Sequence, residues 1–192
     1  MTICLNSINF IWVILFSIVL AYFMYIRKSN KYTFIFVCTR TIYLILLLAI
    51  TLLPITILSK NELEIMHTQY GEYIKYYQLV PFKTILSVGR FNFFRQVICN
   101  IILFIPLPII IKINYQKLSN MKVIFVGIIS SVVVELIQLI INVVTRYPSH
   151  VMDIDDIILN SMGILIGYAI YRIIIMWKIS RSLLERIVYQ DA

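Results

Sequence analysis

Acidic residues are scarce in this chain. Nine Asp and Glu stand against 17 Lys and Arg in 192 residues, and charged residues make up 14% of the whole. A soluble domain carries about 25% charged residues. A broadly charged nucleic-acid-binding face and a disordered chain are therefore both excluded. Cysteine is scarcer still: Cys4, Cys38 and Cys99 offer neither a disulfide framework nor a paired metal-ligand spacing. Glycine numbers five, and no internal repeat or low-complexity linker divides the chain. What is abundant is apolar. Hydrophobic residues reach 61% with a mean hydropathy of +0.92, where a soluble domain averages about 45–50%. The solvent that suits these figures is largely lipid, and the length suits a single integral-membrane domain over 1–192.

A helix needs about 20 mostly apolar residues to cross a hydrocarbon core of about 30 Å. Five runs approach that: Ile8 to Ile26, Thr41 to Leu58, Val97 to Ile111, Val123 to Val144 and Ile157 to Tyr171. The expected fold is all-α, a polytopic transmembrane helical bundle of about five membrane segments. The third run is the short one, about 22 Å long at 1.5 Å per residue, and it holds Pro106 and Pro108. It spans with help from Phe91 to Phe94 or a thinned bilayer, or it re-enters.

Charge sets the expected orientation. The first run has no basic residue before it and no small-residue cleavage site after it, so it does not read as a cleavable signal. Arg27, Lys28 and Lys31 follow it and hold that end in the cytoplasm, which puts the N-terminus outside. Residues 27–40, 112–122 and 172–192 then lie inside, the C-terminus with them. They carry eleven of the 17 basic residues against two acids, Glu185 and Asp191. The positive balance faces anionic lipid and does not call for nucleic acid.

The long connection from Ser59 to Gln96 is rich in aromatics, and Tyr70, Tyr73 and Tyr77 recur at helical spacing. It reads as a short amphipathic helix on the outer interface, ended by Pro81. Its rings serve as an anchoring belt or as a platform that grips an amphiphile.

Polar residues inside apolar runs need a reason. Ser131, Glu135, Gln138, Asn142 and Arg146 follow one another at steps of four, three, four and four, which is one face of one helix. Glu135 sits about 14 Å from the outer end and about 18 Å from the inner end, near the midplane. It is expected to face the bundle interior, protonated, hydrogen-bonded or paired. In the fifth run Asp156, Asn160, Gly163 and Gly167 repeat the four, three, four pattern. Gly163 and Gly167 form G-x-x-x-G, which admits close helix packing and is read as packing against the fourth run. Asn100 lies at a depth similar to Asn160. Together these residues suggest a polar interior open to the outside, rimmed by Arg146, His150, Asp153, Asp155 and Asp156.

Each feature has a plainer reading. Glu135 and Gln138 serve equally as glue between helices. No metal is expected, although Asp153 and Asp156 are of the type that binds a hard cation. The aspartate cluster more naturally caps a helix N-terminus. His150 is a pH-responsive partner, a general base or a solvated loop histidine.

The order of these elements resembles the VanZ family of bacterial membrane proteins. The resemblance is most specific at Asp153-Ile-Asp155-Asp156-Ile-Ile-Leu-Asn160-Ser-Met-Gly163 with Gly167-Tyr168. It is supported by Glu135-Leu-Ile-Gln138, by Asn100-Ile-Ile-Leu-Phe104-Ile-Pro106-Leu, and by Leu79-Val-Pro81-Phe82 in the outer loop. It covers about residues 78–172. Gln78 stands where the family usually has Asn, Pro108 where a Gly is common, and His150 where an Arg usually precedes the first Asp. The resemblance implies a bacterial cell-membrane location and a link to resistance against teicoplanin and related lipoglycopeptides.

The leading expectation is an accessory protein that binds an amphiphile from the outer leaflet through Asn100, Glu135, Gln138, Arg146, His150, Asp153, Asp156 and Asn160. The partners expected are membrane lipid and either a lipid-linked cell-wall precursor or a lipoglycopeptide, with no cofactor and no nucleic acid. One alternative is an intramembrane enzyme acting on an envelope lipid or wall precursor, with Glu135 as acid or base. Against it, no H-E-x-x-H or partnered nucleophile occurs. The other alternative is a membrane scaffold whose polar stripes only hold helices together.

Overall fold

In the computed structural model the described residues are 3–5, 16–20, 22, 31–71 and 74–190, with side chains described at 16–20, 22, 37–71, 74–89, 92–94 and 96–177. Of the first apolar run, residues 16–20 and 22 are helical and the remainder lies outside the described residues, as do Arg27, Lys28, Glu72 and Tyr73.

The chain is mostly helical, in keeping with the all-α expectation. After a short strand β1 (Ile3–Leu5) come helix α1 (Lys31–Leu52), strand β2 (Ile55–Ile57) and helix α2 (Lys60–Tyr70). The second run was expected to be one segment over 41–58, and the structure divides it. Leu53 precedes Pro54, and a residue before proline avoids the helical region, so α1 ends at Leu52. Residues 55–57 instead pair antiparallel with β1, Ile3 opposite Ile57. α2 begins on a capping box: Ser59 Oγ accepts from the Glu62 N–H, and the Glu62 carboxylate accepts from the Ser59 N–H at 2.8 Å. It ends at Tyr70, so the amphipathic helix expected through Tyr77 does not form; Tyr77 lies in strand β3 (Tyr77–Gln78).

A short helix α3 (Lys83–Ser87) leads into the third run. That run comprises α4 (Arg90–Phe93), a π-helical turn (Phe94–Ile98), α5 (Cys99–Phe104) and α6 (Pro106–Asn114). Its apolar part, Gln96–Asn114, has 19 residues and rises about 28 Å, long enough to cross. Pro106 brings no N–H to the Ile102 carbonyl. The Ile105 N–H takes that carbonyl at 3.2 Å, tightening one turn between α5 and α6. Helix α7 (Asn120–Thr145), strand β4 (Met152–Asp153) and helix α8 (Ile154–Gln190) complete the order. Gln96–Asn114, Asn120–Thr145 and Ile154–Trp177 are long and apolar enough to span a membrane, and Val37–Leu52 is a shorter apolar stretch.

Burial runs opposite to that of a soluble protein. Ser131, Glu135, Gln138 and Asn142 of α7 are buried, while Phe125, Ile140 and Val144 of the same helix are 65%, 60% and 76% exposed. An unbroken exposed apolar face over a buried polar one is stable only where the outer solvent is hydrocarbon.

Two compact units share the chain, 1–81 with 132–154 and 82–131 with 155–192. In the first, β3 and β4 pair in parallel, Tyr77 opposite Met152 and Gln78 opposite Asp153, and Leu47 and Val134 are buried. In the second, Val97, Phe104, Leu107, Val123, Leu159 and Ile164 form the apolar core.

Candidate functional site

The residues marked by the sequence fall into two groups, one in each unit. In the first unit, α7 stacks Glu135, Gln138 and Asn142 on one face at 2%, 7% and 0% exposure. All three reach backbone. Glu135 Oε2 accepts the Asp153 N–H at 2.9 Å, a charge-assisted bond of the kind that makes a buried carboxylate tolerable. Gln138 Nε2 donates to the Thr51 carbonyl at 2.7 Å. Thr51 is in the last turn of α1, where carbonyls have no partner within the helix, so the glutamine caps a neighbouring helix end. Asn142 clasps His150: its Nδ2 donates to the His150 carbonyl at 2.5 Å, and its Oδ1 accepts the His150 N–H at 3.5 Å. Ser149 Oγ accepts the Thr56 N–H at 3.1 Å, tying β2 to the same loop.

Asp153 is joined to the outer loop. Its Oδ1 accepts from Gln78 Nε2 at 3.4 Å. The Gln78 amide also closes on Val80, donating to its carbonyl at 2.7 Å and accepting its N–H at 2.6 Å. Side-chain amides commonly hold turns in this way, so glutamine supplies the local clasp at a position where the resemblance leads one to expect asparagine.

Arg146 does not continue the stripe. α7 ends at Thr145, and Arg146 follows in the left-handed region with φ 54°, the conformation in which many helices terminate. A step of four has no meaning beyond the helix. The arginine is exposed, with no partner among the described residues.

In the second unit, Asp155 is wholly buried at 0% exposure. Its Oδ1 accepts the Phe82 N–H at 2.5 Å, and its Oδ2 accepts those of Thr84 and Ile85 at 2.8 and 3.1 Å. Three donors at the start of α3 are thereby satisfied by one carboxylate. The aspartate cluster was expected to cap a helix N-terminus, and Asp155 caps that of α3 rather than that of its own helix. Phe82 holds a left-handed backbone, φ 63°, an unusual state for a bulky residue, and the bond to Asp155 fixes it there.

Asp156 Oδ1 accepts from Asn100 Nδ2 at 2.5 Å, and Asn160 Nδ2 donates to Ser131 Oγ at 2.9 Å. Gly163 and Gly167 receive the third run, and the packing of the fifth run on the fourth goes through other residues. A Cβ at either would strike the carbonyl oxygen of Ile101 or Ile105 respectively. Those oxygens lie one turn apart, so the two glycines form a seat for α5 and the turn after it. The fourth run is met at Gly127, which packs on Ile164.

Asp153 and Asp156 thus have separate partners. Among the described residues no group of three His, Cys, Asp or Glu is placed to hold a metal ion. Each unit has an amide oxygen with spare capacity: those of Gln138 and Asn160 are buried with no partner among the described residues. Both accept hydrogen bonds, so the groups that suit them are hydroxyls, amide N–H groups or ammonium ions.

Thr51, Gln78 and Phe82 belong to the network although sequence reasoning gave none of them a role in it. The Thr51 and Phe82 contributions are backbone atoms, which no residue type announces. For Gln78 a signal existed, an amide two residues before Val80 in a proline-containing turn.

A family model described as VanZ/LLP1 matches residues 40–176. No curated protein and no solved structure matches the chain.

Proposed function

The chain belongs to the VanZ/LLP1 family, and from that premise we propose that it is an accessory membrane protein of the cell envelope that binds an amphiphile on the polar side of α7. The observation that carries the reading is the Gln138 amide oxygen, which lies on an apolar helix at 7% exposure with no partner among the described residues. A buried acceptor left unpaired costs about 1–3 kcal/mol, and a ligand hydroxyl or amide N–H removes that cost. Arg146, exposed on the following loop, supplies a cation for an anionic headgroup. In this reading the N-terminus is outside and the C-terminus cytoplasmic, as the distribution of basic residues favours. The loop 146–153 then faces the side on which lipid-linked wall precursors and lipoglycopeptides meet, and the phenotype is reduced susceptibility to teicoplanin.

Arg146→Gly is the informative variant. Its backbone already occupies a left-handed state that costs a non-glycine residue about 1–2 kcal/mol, so glycine preserves or raises abundance while removing the cation. Wild type, Arg146→Gly and Gln138→Leu are expressed at matched abundance in a sensitive host, and teicoplanin susceptibility is measured. The expected result is that both variants lose protection. Protection equal to wild type in both would overturn the assignment.

The scaffold reading has an observation of its own, because Glu135, Gln138 and Asn142 each bond a backbone atom. It predicts that the same substitutions alter abundance and leave protection per molecule intact.

A further inference from the structure

We infer that the connection between α6 and α7 is a binding site for a phosphate-bearing headgroup, separate from the polar face of α7 near Gln138. A cavity of about 620 Å³ opens there, lined in part by Tyr115, Gln116, Lys117, Leu118, Ser119 and Lys122. That volume lies within the range of about 300–1,000 Å³ typical of small-ligand sites. Its wall is rich in polar groups: two ammonium groups, two amides and two hydroxyls.

The stretch of chain that forms it is basic in sequence. Residues 73–134 contain no Asp or Glu but seven Lys and Arg, three of them Lys112, Lys117 and Lys122. Lys112 is 8% exposed, and its Nζ donates to the Leu118 carbonyl at 2.7 Å. A buried ammonium thus holds the turn that carries Lys117 and Ser119, and its charge adds to the field of the cavity. Lys117 and Lys122 are exposed on its wall. A basic pocket of this kind between apolar helices suits an anionic headgroup. Beside it Ile113, Tyr115 and Met121 are 44%, 64% and 76% exposed, an apolar surface along which acyl chains can lie. A free phosphate or pyrophosphate would use the same donors and leave that surface idle.

The test uses the full chain purified in neutral detergent, with bound lipid counted by native mass spectrometry. Phosphatidylglycerol and phosphatidylcholine are added in parallel to wild type, to Lys117→Gln/Lys122→Gln, and to Lys60→Gln/Lys75→Gln as a control of equal charge. Wild type is expected to hold phosphatidylglycerol at least tenfold more tightly than phosphatidylcholine. The cavity variant should lose about tenfold or more of that preference, near what two lysines contribute at a lipid surface, and the control should keep it. Inorganic phosphate or pyrophosphate is then added to lipid-loaded protein. Retention of lipid identifies a lipid headgroup as the occupant, and displacement at millimolar concentration identifies a soluble phosphate; both support the site. Equal binding of the two lipids by wild type, or equal losses in the two double variants, would overturn it.

Discussion

Removing the carboxylate of Asp155 tests a densely bonded point among the described residues. The side chain is fully buried and accepts three backbone N–H groups, from Phe82, Thr84 and Ile85 at 2.5, 2.8 and 3.1 Å. A hydrogen bond to a charged acceptor contributes about 1.5–3 kcal/mol net, and a buried donor left unmet costs about 1–3 kcal/mol. The three bonds share one acceptor and are not additive. For Asp155→Ala a loss of about 3–5 kcal/mol follows, a large part of the roughly 5–15 kcal/mol that holds a typical domain. Asp155→Asn keeps one acceptor oxygen and turns an amide N–H₂ toward the remaining donors, so about half that loss is expected. Phe82→Gly is the contrast. Its ring is 54% exposed, and relief of the left-handed backbone offsets the added freedom of glycine, so a change within about 1 kcal/mol is expected. Thermal unfolding of the purified protein in detergent, followed by near-ultraviolet circular dichroism, reads all three. At about 2–4 °C per kcal/mol, Asp155→Ala should melt about 6–20 °C below wild type. A shift under about 2 °C for that variant, or a larger loss for Asn than for Ala, would refute the reasoning.

Glycine 163 and glycine 167 should not tolerate a methyl group: Gly163→Ala and Gly167→Ala each force a helix away from a carbonyl, at about 1–3 kcal/mol, whereas Gly71→Ala and Gly89→Ala meet nothing within 4 Å and leave the yield of folded protein unchanged by size-exclusion chromatography. Glu135→Gln retains an acceptor for the Asp153 N–H and should stay within about 1 kcal/mol of wild type, while Glu135→Leu orphans that donor and loses about 2–3 kcal/mol, measured by the same melt. For the proposed orientation, single cysteines at the exposed positions Ser119 and Asn61 in a chain freed of Cys4, Cys38 and Cys99 should respond oppositely to an impermeant thiol reagent on intact cells. Asn61→Cys should label and Ser119→Cys should be protected; the reverse pattern would invert the topology.

Much of the architecture was legible because lipid enforces periodicity. The steps of four, three and four from Ser131 to Asn142 pick out positions that are all buried, and of the apolar residues between them Val133, Leu136 and Ile140 face outward. Legibility ended where helices end. Arg146 was assigned to the stripe by extending its spacing one turn past Thr145, and Tyr77 was joined to Tyr70 by spacing alone. In the second case the sequence held a better cue, since Ser59-Lys-Asn-Glu62 is a capping box and marks where that helix starts. Which run Gly163 and Gly167 receive was not legible for a different reason. G-x-x-x-G shows that something comes close and carries no information on what does. The third run has its own mark in Pro106 and Pro108, which alter the backbone beside the carbonyls of Ile101 and Ile105 that the glycines receive.

The three aspartates between 153 and 156 show why side-chain type alone could not separate binding from support. Read together they form an acidic cluster with cation chemistry. Read by their bonds they do three jobs, since Asp153 offers one oxygen to Gln78 and its N–H to Glu135, Asp155 holds the turn after Pro81, and Asp156 takes Asn100. The Leu79-Val-Pro81-Phe82 element and the aspartate element lie more than seventy residues apart in sequence, and Asp155 bonds directly to the backbone of Phe82. Their joint occurrence therefore follows from folding before any ligand is considered. A role in binding must be sought where an acceptor is left over after such bonds are made, which directs attention away from the acids and toward the amide of Gln138.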